Sequence, residues 1–287
     1  MTAYCPYTDK DIPTDETDRE HIIPLALGGM DGFEIPVSPA ANSEIGSRID
    51  GAIARDFFTM TKRDRFDVRG HSGKEPIFVA RHSSDPVGKP LQIGLGQRTG
   101  LQVWSPLDKE YIQDARAARV NISFSIDTTL PLRFVAKVAL SAGYFAYGEV
   151  FRNRVKHQDL RTIMNSRGTE TEVPPGMEAL VDDRFSTDQS EQFRVFRALC
   201  KAAEPHSVVG LVPASNRFRV FVGLLGDYQG MINVPAQTSG FPNEDMFRWG
   251  HLIVLRKSGI VRMSFMEALK EFAERYGPRD SSGTTIP

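Results

Sequence analysis

An acid and a histidine stand side by side near the start of this chain, at Glu20 and His21. A histidine titrates near neutral pH and can take a proton from water, and a carboxylate oxygen suits a hard divalent cation such as Mg²⁺. Hydrolysis of a phosphodiester needs both a base for the attacking water and positive charge on the phosphate. Successive strand residues face opposite ways, but a twist at a strand end would let both side chains serve one phosphate.

The residues after this pair form a longer pattern. The string is Asp18-Arg19-Glu20-His21-Ile22-Ile23-Pro24-Leu25-Ala26-Leu27-Gly28-Gly29, and Asn42 follows after a turn-rich passage. From Asn42 onward, isoleucines recur every four residues, which predicts a helix. As a whole, about residues 1–58 resemble the HNH nuclease family, in particular its bacterial subgroup Glu-His-Ile-x-Pro-x-x-Leu-Gly-Gly.

The resemblance implies a ββα-metal module, in which a strand, a turn and a second strand lead into a helix. It implies that His21 is the general base and that Glu20 and Asn42 bind a divalent cation, Mg²⁺ or Mn²⁺. It also implies cutting or nicking of DNA in defence against foreign DNA, with DNA and the proteins of such a defence system as partners. The family's middle asparagine is replaced here by Phe33. Either a neighbouring residue or packing alone must then hold the loop that carries the base.

The cysteines argue against a structural zinc. Many relatives in this subgroup carry two Cys-x-x-Cys pairs, whereas Cys5 is the single cysteine at the four corresponding positions. A structural zinc needs four good ligands, so we expect none and expect Cys5 to be a small buried apolar side chain. With Cys200 the chain has two cysteines, too few for a disulfide framework.

Composition bounds the class of protein but not its partner. The chain is 40% hydrophobic and 25% charged, as in ordinary globular proteins. No apolar run approaches the roughly 18 residues that span a bilayer, and the first residues lack the features of a secretion signal. We therefore expect a cytoplasmic protein without a membrane partner. A net charge of −1 neither supports nor excludes binding to DNA.

A polar, basic passage at residues 61–74 reads as a linker. It separates a predicted nuclease module, residues 1–60, from a larger domain, residues 75–287, that would recognise substrate or a partner, or regulate the nuclease. Four of its side chains are candidates for contact with nucleic-acid phosphates: Lys62, Arg63, Arg65 and Arg69. A solvated linker without such contacts is an equally open interpretation.

Beyond the linker the patterns predict a mixed α+β domain. Alternating apolar residues predict strands of a half-buried antiparallel sheet, at 77–79, 91–93, 101–104, 120–126, 208–212, 218–225, 229–234 and 252–255. Helical spacing predicts helices at 132–151, 157–164, 189–203 and 264–276. The first is apolar on most of its surface, so we expect it to be central. Ser264 and Glu267 form a capping-box pattern at the start of the last.

Two alternatives to an active nuclease stay open. The site could have decayed, which would leave a catalytically inert HNH-fold protein that binds nucleic acid or acts as a sensor. The C-terminal domain could instead sense a ligand or protein and release the nuclease.

Asp50 lies on the predicted helix that follows Asn42. An aspartate at such a position is more commonly exposed at the surface or hydrogen-bonded locally. The alternative is that Asp50 supports the site.

Overall fold

The structure is a computed structural model of the chain, and it describes residues 1–112, 119–167, 173, 175, 178–187, 191–214, 216–242 and 249–276. It is a mixed α+β protein whose sheets are antiparallel, as the sequence predicted. Within those ranges, no helix has both the length and the apolar character needed to cross a bilayer.

Four short strands open the chain and pair as two antiparallel hairpins. They are β1 (Thr2–Cys5) with β2 (Lys10–Pro13), and β3 (Asp18–His21) with β4 (Glu34–Val37). A helical segment follows, made of α1 (Pro39–Ile45), a π-helical turn (Gly46–Asp50), α2 (Gly51–Arg55) and α3 (Phe57–Arg65). Cys5 is buried, as expected.

The first helix begins three residues before the predicted position at Asn42. The hydroxyl of Ser38 accepts a hydrogen bond from the Ala41 amide at 3.2 Å, and Pro39 fills the first turn, where a missing N–H costs nothing. Asn42 therefore lies within α1 rather than at its cap. The segment breaks again at Asp56, whose backbone is extended and whose carboxylate caps α3.

The rest of the chain forms two further sheets and five helices in the described ranges. The smaller sheet is β5 (Phe78–Ser84), β6 (Pro90–Gly96), β7 (Gly100–Ser105) and β8 (Glu110–Tyr111). The six-stranded sheet has the order β14-β13-β10-β11-β12-β9, with β9 (Val181–Asp183), β10 (Ser207–Ala214), β11 (Arg217–Leu224), β12 (Asp227–Pro235), β13 (His251–Arg256) and β14 (Gly259–Ser264). The helices are α4 (Leu130–Tyr147), α5 (Glu149–Arg154), α6 (His157–Asn165), α7 (Glu191–Ala202) and α8 (Phe265–Tyr276).

Two further predicted elements differ from the structure. Residues 120–126 do not form a strand: Asn121 makes a single bridge to Ser84, and the Ser123 amide donates to the Ser83 hydroxyl and not to the backbone of a neighbouring strand. The predicted helix at 132–151 divides at Gly148, whose positive φ of 52° suits glycine. The capping box of α8 is confirmed, since the amide of Glu267 donates to the Ser264 hydroxyl and the Glu267 carboxylate accepts from the Ser264 amide.

Helix α4 lies at the centre of the molecule, as its apolar surface predicted. Every residue from Leu130 to Gly143 is buried. One face of the six-stranded sheet packs against α4, and α7 and α8 pack against the other face. The core around α4 also contains Ile22, Phe33 and Ile49 from the N-terminal segment. The N-terminal hairpins and the six-stranded sheet therefore share one core. The first part of the predicted linker, residues 61–65, belongs to α3. The domain boundary predicted at residues 61–74 stays a prediction.

The loop between β3 and β4 is held by packing and by its own backbone. Phe33 is fully buried, and its ring meets Phe145 of α4 edge to face at 5.1 Å between centroids. The Phe33 carbonyl accepts a hydrogen bond from the Ile22 amide at 3.0 Å. A phenyl ring therefore anchors the loop at the place where the HNH pattern expects an asparagine.

We expect Phe33→Ala to lower the free energy of unfolding by about 3–5 kcal/mol, since it removes a fully buried ring. Phe33→Asn should cost at least as much, because it also places an amide in an apolar site. Urea unfolding measures both variants. Leu107→Ala, at a side chain that is 63% exposed, is the control and should change stability by less than about 0.5 kcal/mol. A Phe33→Asn protein as stable as the original would show that the phenyl ring does not hold the loop.

Candidate functional site

Glu20 and His21 are consecutive residues of β3, so their side chains lie on opposite faces of the β3–β4 hairpin. The Glu20 carboxylate faces α4, and the His21 imidazole faces the loop that joins β3 to β4. The two side chains therefore meet different partners, and the strand end does not twist them onto one point.

The His21 imidazole lies between two carboxylates. Its Nε2 is 3.1 Å from an oxygen of Asp31, in the turn, and 3.2 Å from an oxygen of Glu34, which is paired with His21 across the hairpin. Asp31 is 91% exposed, whereas Glu34 is 11% exposed and also accepts a hydrogen bond from Arg19 at 2.7 Å. The imidazole is 17% exposed, so the cluster borders solvent and is open to a ligand.

This cluster suits two kinds of chemistry. With a proton on Nε2, the imidazole donates to the carboxylates, and Nδ1 is then the unprotonated nitrogen that can accept a proton. Alternatively, the three side chains suit a divalent cation, since their ligand atoms all lie within 4.8 Å of one another. Neighbouring ligands of an octahedral ion with bonds of about 2.1 Å are about 3.0 Å apart, close to the spacing between His21 and the two carboxylates.

On the other face of the hairpin, Glu20 is paired with a buried lysine. The Lys137 ammonium, on α4, is 2.7 Å from Glu20 and 3.1 Å from Asp50, and it donates to the backbone carbonyls of His21 and Ile22 at 3.0 and 3.2 Å. Lys137 is fully buried. Burial acts to lower the pKa of Lys137, but the charge of Asp50, together with that of Glu20, outweighs burial and raises this pKa above its ordinary value.

Asp50 completes this charge cluster. Burial raises the pKa of Asp50 to about 7, against the opposite effect of the Lys137 ammonium. One ammonium balances one carboxylate, so a proton on Asp50 leaves the cluster neutral at moderately acidic pH. Asp50 is thus buried in a charge network and not a surface residue, contrary to the commoner meaning of such an aspartate.

A divalent cation shared by Glu20 and Asn42 does not fit this arrangement. Glu20 faces a buried ammonium, whose charge repels a second cation. The Asn42 amide nitrogen donates to the Asp18 carboxylate at 3.2 Å. The three residues that the sequence proposed for the site therefore contact three different sets of partners.

The four basic candidates of the linker are mostly engaged within the protein. Lys62 pairs with Glu204 at 3.3 Å and with a second carboxylate at 3.1 Å. Arg63 is buried and donates to a backbone carbonyl of α2 at 2.6 Å. Arg69 donates to a carboxylate and a carbonyl of its own loop. Of the four, Arg65 is the most accessible, with its side chain 63% exposed.

Three residues of these clusters were missed in the sequence: Asp31, Glu34 and Lys137. Glu34 is the first residue of β4, and the hairpin register that places it opposite His21 could have identified it. Lys137 carried a clearer signal, because it is a charged residue inside an apolar helix that was predicted to be central. A buried lysine requires an acidic partner. Asp31 carried no signal beyond its position in a turn.

Comparison of the chain with protein-family models, with curated proteins and with solved structures found no match.

We expect Lys137→Met to lower the free energy of unfolding by about 3–5 kcal/mol, because it leaves buried carboxylates without their cation. Removing the carboxylates as well, by Glu20→Gln and Asp50→Asn, should restore much of that loss. Chemical unfolding compares the single and triple variants. Lys156→Met is a matched control, since that side chain is 64% exposed and should contribute no more than about 1 kcal/mol. A Lys137→Met protein of full stability would rule out the ammonium as the compensating charge.

Asp50 should also make stability depend on pH. Its pKa rises from an ordinary value of 3.8 to about 7 in the folded protein, so the folded state binds this proton more tightly than the unfolded chain. The resulting stability is present below about pH 4 and is lost as pH rises toward 7. Relative to the original protein, Asp50→Asn should gain stability across that window, by about 1.4 kcal/mol per pH unit at most. Urea unfolding of both proteins across this range measures the difference, and an unchanging difference would contradict the raised pKa.

Proposed function

We propose that this protein hydrolyses phosphodiester bonds in DNA as an HNH-type nuclease with His21 as the general base. The observation that carries this proposal is the position of the His21 imidazole at the end of β3, with Nε2 between the carboxylates of Asp31 and Glu34. The order of β3, β4 and α1 supports it, because strand, turn, strand and helix is the order that the resemblance implies for a ββα-metal module.

In this proposal the carboxylates position the base. By accepting the Nε2 proton they fix the tautomer in which Nδ1 can take a proton from an attacking water. They also stabilise the imidazolium that forms once the proton has been transferred, as a carboxylate does in other acid–base sites. The buried Phe33 fixes the backbone of the intervening loop, so the two carboxylates and the imidazole keep their geometry without the family's middle asparagine.

A divalent cation remains part of the proposal, at a different position from the one expected. Asp31 and Glu34 would hold the cation through carboxylate oxygens alone, because Nε2 of His21 keeps its proton in this proposal, whereas Glu20 is engaged by Lys137. When bound there, Mg²⁺ or Mn²⁺ would neutralise charge on the phosphate. Glu34 is also paired with Arg19, whose side chain is 78% exposed and would have to move aside to admit the cation.

DNA as substrate and a role in defence against foreign DNA are carried by the HNH resemblance, whereas the proposed cytoplasmic location comes from the composition of the chain and not from that resemblance. Among the linker candidates, Arg65 has the most exposed side chain and is therefore the most accessible to a phosphate, although it also pairs with Glu204 at 3.6 Å. Lys62, Arg63 and Arg69 would first have to leave their present partners.

Plasmid nicking tests the proposed function. With Mg²⁺ or Mn²⁺ present we expect nicked or linear DNA, and we expect His21→Ala to reduce the rate by at least about 100-fold, since a positioned base contributes about 10²–10⁴. Glu34→Gln should reduce the rate less, because the tautomer and the imidazolium lose one of two supports. Glu16→Gln, at an exposed acid outside the cluster, is the control. Equal cleavage by the original protein and His21→Ala would contradict the assignment of the base.

A second candidate function is a catalytically inert HNH-fold protein that binds nucleic acid. The pair between Glu20 and the fully buried Lys137 favours it, because an ammonium occupies the side of the strand where the resemblance places a metal ligand. Binding of DNA, measured by fluorescence anisotropy, without cleavage under any of the metals would select this candidate. Cleavage that His21→Ala abolishes would exclude it.

A further inference from the structure

A cavity of about 450 Å³ lies between the N-terminal segment and one end of the six-stranded sheet. One wall is the loop from Leu25 to Met30, and a second is the stretch Phe66–Val68. The ends of strands near Leu225 and Arg256 complete it. Ligand pockets in proteins are usually about 300–1,000 Å³, so the volume suits a small molecule.

The cavity combines apolar walls with a basic rim. The apolar side chains on its lining are Leu25, Met30, Phe66, Val68, Leu225 and Leu255. The rim carries Arg256, Lys257 and His206. A ligand that fills this space therefore needs an apolar body and an anionic end.

The positive charge of the rim is not balanced by neighbouring acids. In the part of the chain that the structure describes, neither Arg256 nor Lys257 forms an ion pair. The acid on the lining, Asp67, is already engaged by Arg69 and Arg98 at 2.8 and 2.9 Å. Burial, and then the charges of Arg256 and Lys257, lower the pKa of His206.

The walls are fixed to each other before any ligand binds. The Ser207 hydroxyl, at the start of β10, donates to the Leu27 carbonyl at 2.6 Å and accepts from the Leu225 amide at 3.1 Å. Gly28 has a positive φ of 78°, and a Cβ there would lie 2.9 Å from Leu225, so this close approach of loop and sheet requires glycine. A preformed cavity avoids the cost of ordering its walls on binding.

We propose that this cavity binds a small molecule that joins a phosphate to a flat ring with apolar faces, as a nucleoside monophosphate does. The phosphate lies on Arg256 and Lys257, because a dianion matches two adjacent cations better than a single carboxylate does. The ring packs against Phe66 and Val68, where an aromatic side chain gains from contact with a planar group. This inference does not rest on the proposed nuclease function, since none of these residues belongs to the His21 cluster.

Isothermal titration calorimetry of the full chain with the four nucleoside monophosphates tests the proposal without DNA or metal. We expect at least one to bind, and the matching nucleoside and inorganic phosphate to bind at least tenfold more weakly, because each lacks half of the ligand. Octanoate is the competing probe for an apolar carboxylate. Binding of none of the monophosphates, or tighter binding of octanoate, would overturn the proposal.

Variants locate the ligand. Arg256→Gln combined with Lys257→Gln should weaken binding of the best monophosphate at least tenfold, and Val68→Trp should weaken it by filling the apolar part. Arg81→Gln, at an exposed arginine in the smaller sheet, should leave binding unchanged. Thermal unfolding checks that each variant is folded. Unaltered binding by the folded double variant would overturn the site, and the ligand series on the original protein decides the question should a variant not fold.

Discussion

A single buried ammonium joins the parts of this molecule that the chain keeps far apart. Lys137, in the middle of the central helix, contacts the Glu20 carboxylate on β3 and the Asp50 carboxylate at the end of the π-helical turn. It also donates to the backbone carbonyls of His21 and Ile22. Removing an ammonium from water costs several kcal/mol unless good partners replace the water. All four partners belong to the N-terminal segment. Separating this segment from α4 would leave the Lys137 ammonium buried without partners, so the contact holds the two together.

The same contact decides what the Glu20-His21 pair can do. Since side chains alternate along a strand, a Glu20 that faces Lys137 leaves His21 facing the opposite side, where Asp31 and Glu34 lie. One face of the hairpin therefore holds a neutralised structural charge cluster and the other an imidazole with two carboxylates near solvent. The residues proposed for acid–base chemistry and cation binding are therefore separate from those that hold the fold together.

Packing, in turn, keeps the solvent-facing cluster in shape. The β3–β4 loop carries Asp31 and is anchored by Phe33 against α4. Earlier in the same loop, the Leu27 carbonyl accepts a hydrogen bond from the Ser207 hydroxyl at the start of β10. The β3–β4 loop is therefore fixed on one side by α4 and on the other by the six-stranded sheet. A ligand in the cavity beside Leu25 and Leu225 would contact the same loop that follows the Glu20-His21 pair.

The amino-acid sequence by itself determined the local elements, because their signals are short-range. Alternation placed most strands, helical spacing placed α4, α6, α7 and α8, and the Ser264–Glu267 pattern marked the start of α8 correctly. Only the tertiary structure decided which side chains meet. Glu34 and Asp31 reach His21 through the hairpin register and turn, and Lys137 reaches Glu20 across more than a hundred residues of chain. Periodicity indicates which face of an element is apolar, but the partner of a charged side chain depends on how separate elements pack. A lysine in an apolar helix therefore predicts that an acid lies nearby. It does not predict which acid.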